Sequence, residues 1–210
     1  VSPSMGNSDG CDPESCDHVV ITNCTFNALD DTIAIKSGRD ADGRRLHTPS
    51  QNIVIAHCRF ASNDGMITCG SELSGGIQNV YAYDLTTFGK SVKYVLYVKS
   101  NSRRGGFAKN INIDTVHGSG VFGPIIFIIM NYNGQTGSFL PDFSGPFTLN
   151  NVVINKAPQL LNLTGLPNDK IGPLVLSNST YTGIASTTNH IVDASTITYT
   201  NVTVNGTPVH

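Results

Sequence analysis

At 210 residues, 39% apolar and 13% charged, the chain has the balance of a globular protein with one sizeable core. Its net charge of −2, with the basic pairs Arg44-Arg45 and Arg103-Arg104 in separate segments, excludes an extended basic face for a nucleic-acid backbone. The longest apolar run, Ile125–Met130, falls far short of the ~20 residues of a membrane-spanning helix, so neither nucleic acid nor a membrane is an expected partner.

The chain opens on Val1-Ser2-Pro3, without an initiator Met or a basic and apolar leader, which reads as a processed or truncated start. Asn7-Ser8-Asp9 follows, then Cys11 and Cys16, a pair able to close a short loop in an exported protein. The cysteine count is odd, with Cys24, Cys58 and Cys69 reading as small core residues. Asn23, Asn162, Asn178, Asn201 and Asn205 head Asn-x-Ser/Thr triplets, which Asn- and Thr-rich β sequences also produce by chance.

From residue 18 a repeat takes over. His18-Val19-Val20-Ile21-Thr22-Asn23-Cys24-Thr25-Phe26 recurs as Asn52-Ile53-Val54-Ile55-Ala56-His57-Cys58-Arg59-Phe60, with Cys on Cys and Phe on Phe. Further copies start at Asn79, Asn110 and Asn150. The offsets of roughly 27 to 40 residues suit one solenoid coil plus a variable loop. Between the copies lies a second strand family: Thr32–Ser37, Met66–Ser71, Val95–Ser100 and Ile126–Met130. Each is short, β-branched and bounded by turn residues. Alternation directs Ile33, Ile35, Ile67, Cys69, Leu96 and Val98 inward, rung on rung. No segment reads as an amphipathic helix.

The expected fold is therefore all-β: a right-handed parallel β-helix forming one domain over 1–210. Coils in 1–146 would carry the chemistry and 147–210 would close the stack. Because a coil cannot bury its own end and no cap precedes the first rung, N-terminal coils are expected to be missing or supplied as a separate segment.

Stacking also gathers acids. Asp9 and Asp31 stand about one coil apart, and Asp30 falls over Asp64 at the offset that joins Cys24 to Cys58. Asp9, Asp30, Asp31 and Asp64 should share one face, with Tyr97 and Lys99 a coil further on. Crowding raises one carboxyl pKa and leaves its neighbour charged, the division of labour that glycoside hydrolysis uses. For any single aspartate, a turn or cap remains the better reading. Strict alternation sends Asp30 and Asp31 to opposite faces, so both reach the cleft only if the chain bends before Thr32.

These residues resemble the polygalacturonase family of glycoside hydrolases, family 28, most strongly over Asn7 to Gly106. The family's Asn-Thr-Asp motif corresponds to Asn7-Ser8-Asp9 and its Asp-Asp motif to Asp30-Asp31. The resemblance implies a parallel β-helix hydrolysing galacturonosyl linkages in pectin with inversion, Asp30 as general acid and Asp9 with Asp31 activating water. Asn7, Asp64, Tyr97, Lys99, Arg39 and His47 would bind substrate. Two positions depart from the pattern: Asn63-Asp64-Gly65 stands for Gly-His-Gly, and Tyr97-Val98-Lys99 for Arg-Ile-Lys. Tyrosine lacks the bidentate fork that arginine offers a carboxylate. No metal and no cofactor is expected. The expected partner is a pectic polysaccharide or oligogalacturonide, and the expected location is secreted or periplasmic. The alternatives are a catalytically impaired carbohydrate-binding relative and a lyase on the same fold.

Overall fold

The computed structural model describes residues 6–89 and 91–210; Val1–Met5, on which the reading of a processed start rests, lie outside them. A nine-stranded sheet stacks Asp17–Thr22, Ser50–Ala61, Ile77–Thr87, Ala108–Gly118, Phe147–Ile154, Leu174–Tyr181 and Ile197–Val204 in parallel. Thr25–Asn27 joins this sheet beside Ser50–Ala61, and the antiparallel strand Thr207–Val209 ends it. A six-stranded parallel sheet runs Ile33–Ile35, Gly65–Gly70, Tyr94–Lys99, Ile126–Ile129, Leu161–Thr164 and His190–Val192. The chain alternates between the two, making a parallel β-helix with the right-handed crossover that parallel strands adopt.

The registers explain the repeat. Ile33, Ile67, Leu96, Ile126 and Leu161 form one ladder and Ile35, Cys69, Val98, Ile128 and Leu163 the next, all fully buried. On the long sheet Phe26 pairs with Phe60, their rings stacked at 5.6 Å, and Cys24 packs against the same core that buries Cys58. All five cysteines are free thiols, so no Cys11–Cys16 loop is closed; the Cys16 thiol instead donates to the Glu14 carbonyl at 3.1 Å.

Asn52, Asn79 and Asn110, which head three of the copies, mark corners, whereas Asn150 pairs with Asp114, four residues past Asn110. His18, Asn52, Asn79 and Asn110 occupy equivalent rungs, as do Asn23, His57, Asp84, Thr115, Asn151, Asn178 and Asn201, and every one has φ between +48° and +59°. That left-handed conformation disfavours most side chains and is tolerated by asparagine, which explains its recurrence. Neighbouring corner amides also bond along the stack, Asn79 to Asn52 at 3.1 Å and Asn110 to Asn79 at 2.9 Å.

One element departs from the sequence reading: a seven-residue α-helix, Asp40–Leu46, in the loop after Ile33–Ile35. Only Gly43 is buried in it, so it has no apolar stripe to reveal it. His47, at φ +50°, ends it.

Candidate active site

The bend required before Thr32 is present. Leu29 and Asp30 lie in a bend, and the strand starts only at Ile33. Asp30 is thereby left half-buried at the cleft, while Asp31 turns beneath it with 2% of its surface exposed. The following coils hold Asp31 at three points: its Oδ1 accepts the Gly65 N–H at 2.9 Å and the Thr68 hydroxyl at 2.6 Å, and its Oδ2 accepts the Lys99 ammonium at 3.0 Å. Gly65 is required by this approach, because a Cβ there would lie 2.1 Å from Thr68 Oγ1 and 2.8 Å from Asp31 Oδ1.

One oxygen from each of Asp9, Asp30 and Asp31 lies within 4.8 Å of the others. Asp30 receives the Asp31 N–H at 2.9 Å. Burial pushes its carboxyl above the usual range, and the negative charges of Asp31 and Asp9 push it further. Burial also raises Asp9, against the Lys36 ammonium at 3.0 Å. Lys36 bonds Asp12 as well, at 2.6 Å; its own burial favours the neutral amine, but the two carboxylates outweigh this and raise its pKa. Lys99 behaves alike, with desolvation overcome mainly by Asp31. Ammonium groups thus stand where a cation would, on Asp9 and on Asp31, and the set reads as a carboxylate–ammonium site.

Asp64 completes the acid group. Its N–H donates to Ser62 Oγ at 2.8 Å, and the Ser62 hydroxyl donates to the Asp30 carbonyl. Burial raises its carboxyl to about 6, with the Asp31 charge adding and Lys99 and Lys93 opposing. Its Oδ1 is sealed from solvent with no hydrogen-bond partner, and Lys93 Nζ stands 3.7 Å away.

These groups line a cleft of about 660 Å³. Of the residues expected at the site, the fold brings together Asn7, Asp9, Asp30, Asp31, Asp64 and Lys99. Tyr97, 5% exposed, does not line it: its ring lies flat on Phe127 at 5.1 Å with the Lys99 ammonium 4.3 Å from its centre. Arg39 also lies off the cleft lining and pairs with Asp40 at 3.8 Å, while His47 lines a separate pocket with Arg44 and Phe139. The fold adds Asp12, Lys36, Ser71, Glu72 and Tyr132 to the cleft wall. Lys36 was legible: aligning the second strand family puts Lys36, Gly70 and Lys99 on one ladder. Glu72 sits in a bend after Gly65–Gly70 and Tyr132 opens a one-turn 3-10 helix, Tyr132–Gly134, where no strand periodicity marks them. Arg104, 4% exposed, braces the wall from behind, bonding the Ser71 hydroxyl and, at 2.9 Å, Glu72.

Stacked parallel coils with paired acids and lysines on one outer face define a parallel β-helical protein with an acidic cleft. The chain belongs to glycosyl hydrolases family 28, whose sequence model matches residues 2–158. It is 28% identical over 183 residues to a probable polygalacturonase of Vitis vinifera, covering 83% of the chain and 36% of that protein. A polygalacturonase of Ralstonia solanacearum is 32% identical over 143 residues, 67% of the chain and 25% of the relative. The crystal structure of a hyperthermoactive exopolygalacturonase from Thermotoga maritima superposes with a TM-score of 0.88 at 33% identity, covering 95% of the chain and 44% of that structure. The chain thus spans about a third of the length of the curated relatives it matches. Among the described residues, no helix is long and apolar enough to cross a membrane.

Proposed function

We propose that the chain carries the catalytic face of an inverting glycoside hydrolase that cleaves galacturonosyl linkages in a pectin-type polysaccharide. The observation that carries this reading is the convergence of Asp9, Asp30 and Asp31 within 4.8 Å on one wall of the cleft. Asp30 is the general acid: it is half-buried, and burial together with the Asp31 and Asp9 charges favours its protonated form, while Asp31 is paired with Lys99 at 3.0 Å. Asp9 and Asp31 hold the attacking water between them. Lys36 and Lys99 fit the anionic character of a uronate chain, and such a substrate places the protein outside the cytoplasm.

Carboxyl groups of inverting enzymes usually stand ~6.5–9.5 Å apart, and those of retaining enzymes ~5–5.5 Å, so the short spacing here favours retention as a second reading. Water shared between two acids, rather than facing one, is what reconciles inversion with that spacing. Proton NMR of the first anomer released from polygalacturonate decides: inversion supports the proposal, and retention makes Asp9 or Asp31 a nucleophile. Absence of cleavage of polygalacturonate, rhamnogalacturonan and xylogalacturonan alike would sink the enzymatic reading.

A further inference from the structure

Asp64 is unlike the other acids of the cleft. Asp31 is bonded at both oxygens, Asp9 has Lys36 and Asp30 has a backbone N–H, whereas Asp64 Oδ1 is sealed without a hydrogen bond and meets only the Lys93 ammonium, at 3.7 Å. Its side chain keeps 24% exposure and lines the cleft. Leaving a buried carboxylate oxygen without a hydrogen bond is costly, whereas a carboxylic acid needs fewer partners and gains an O–H donor. The charged groups around it are Asp31 and Asp30 from the preceding coil, Lys99 from the strand Tyr94–Lys99 and Lys93 just before it; the Tyr94 and Tyr97 phenols also face it.

We infer that Asp64 is a specificity-determining residue that admits an anionic sugar as a neutral acid, donating its proton in a hydrogen bond to substrate, and repels that sugar once ionised. The inference rests on the proposed hydrolase reading and adds a substrate-charge filter to it. Desolvation and the Asp31 charge supply the neutral form, holding the Asp64 carboxyl near a pKa of about 6. Ionisation then adds a negative charge to those of Asp9 and Asp31 in the cleft, where a uronate carboxylate must pass. The filter acts on binding, whereas ionisation of Asp30 acts on turnover, so the two separate in kinetics.

The test is KM and kcat against pH for a galacturonate oligomer and its methyl ester, with the parent and with Asp64→Asn, whose amide donates at every pH. The expected parent KM for the acid form is about tenfold higher near pH 7 than near pH 5, as the competent fraction falls. KM for the ester should change little, and Asp64→Asn should flatten the acid-form profile. An unchanged KM rise in Asp64→Asn, or an equal rise with the ester, overturns the inference while leaving hydrolysis intact. If neither substrate is cleaved at any pH, the hydrolase reading fails first.

Discussion

Lys99→Met tests whether the site is held together by charge. Lys99 and Asp31 lie at 3.0 Å with side-chain exposures of 8% and 3%, so solvent screens the pair very little. Methionine keeps the length and apolar stem of lysine and its contact with the Tyr97 ring, which isolates the charge. Removing one partner of a buried pair typically costs about 3–5 kcal/mol, because the other is left uncompensated. The Gly65 N–H and the Thr68 hydroxyl still satisfy Asp31 Oδ1, so the lower end, about 3 kcal/mol, is the expected loss. For a chain of this size that corresponds to a melting temperature lower by roughly 6–12 °C. Adding Asp31→Asn removes the stranded charge, and the double variant should recover most of the loss, with a coupling of about 2 kcal/mol or more. Calorimetry of the four proteins of the cycle gives both numbers. A Lys99→Met loss below about 1 kcal/mol, or a double variant no better than the single, would refute the buried-pair account.

Asp30→Asn, Asp31→Asn and Asp9→Asn should each lower turnover by about 10²–10⁴, measured by reducing-end release, and an activated aryl glycoside should rescue only Asp30→Asn. Normal turnover in all three would remove the catalytic assignment. Lys36→Met should raise the Asp9 pKa, since the lost hydrogen bond is what opposes its burial. A base must be deprotonated, so the acid limb of kcat against pH should move to higher pH, and an unmoved limb would detach Lys36 from the site. Gly65→Ala should disrupt the Thr68–Asp31 contact, and a crystal structure retaining both bonds with full activity would contradict the close approach.

The fold was legible because a solenoid writes each coil in the same hand. The inward ladders Ile33–Ile67–Leu96 and Ile35–Cys69–Val98 follow from alternation alone, and the Cys24–Cys58 offset fixed the pairing that places Asp30 beside Asp64. Residues outside that period resisted. The helix Asp40–Leu46 is polar on nearly every side, and the loop carrying Arg39 and His47 turns away from the cleft to contacts near Asp40 and Phe139. Tyr97 obeyed its ladder, but its ring is buried in a stack on Phe127 and does not line the cleft. Glu72 is held by Arg104, one coil further on, although both lie in loops outside the repeated strands.

The parallel ladder also acts as a ruler. Asp31 meets Thr68 on the next rung and Lys99 on the one after, so backbone separations come in steps of about 4.8 Å, and side-chain length must make up each remainder. On the ladder of Lys36 and Lys99 the middle rung is Gly70, at φ +98°, where a Cβ would lie 2.3 Å from the Lys99 carbonyl oxygen and 2.9 Å from Leu73. Loops between rungs can lengthen without changing these steps, as the helix-bearing loop at Asp40–Leu46 does. Distances between the reacting groups are thus indexed by coil number rather than by loop geometry. A deletion of one whole coil would shift the register of the site by a full step, while a loop insertion of the same length would leave it in place.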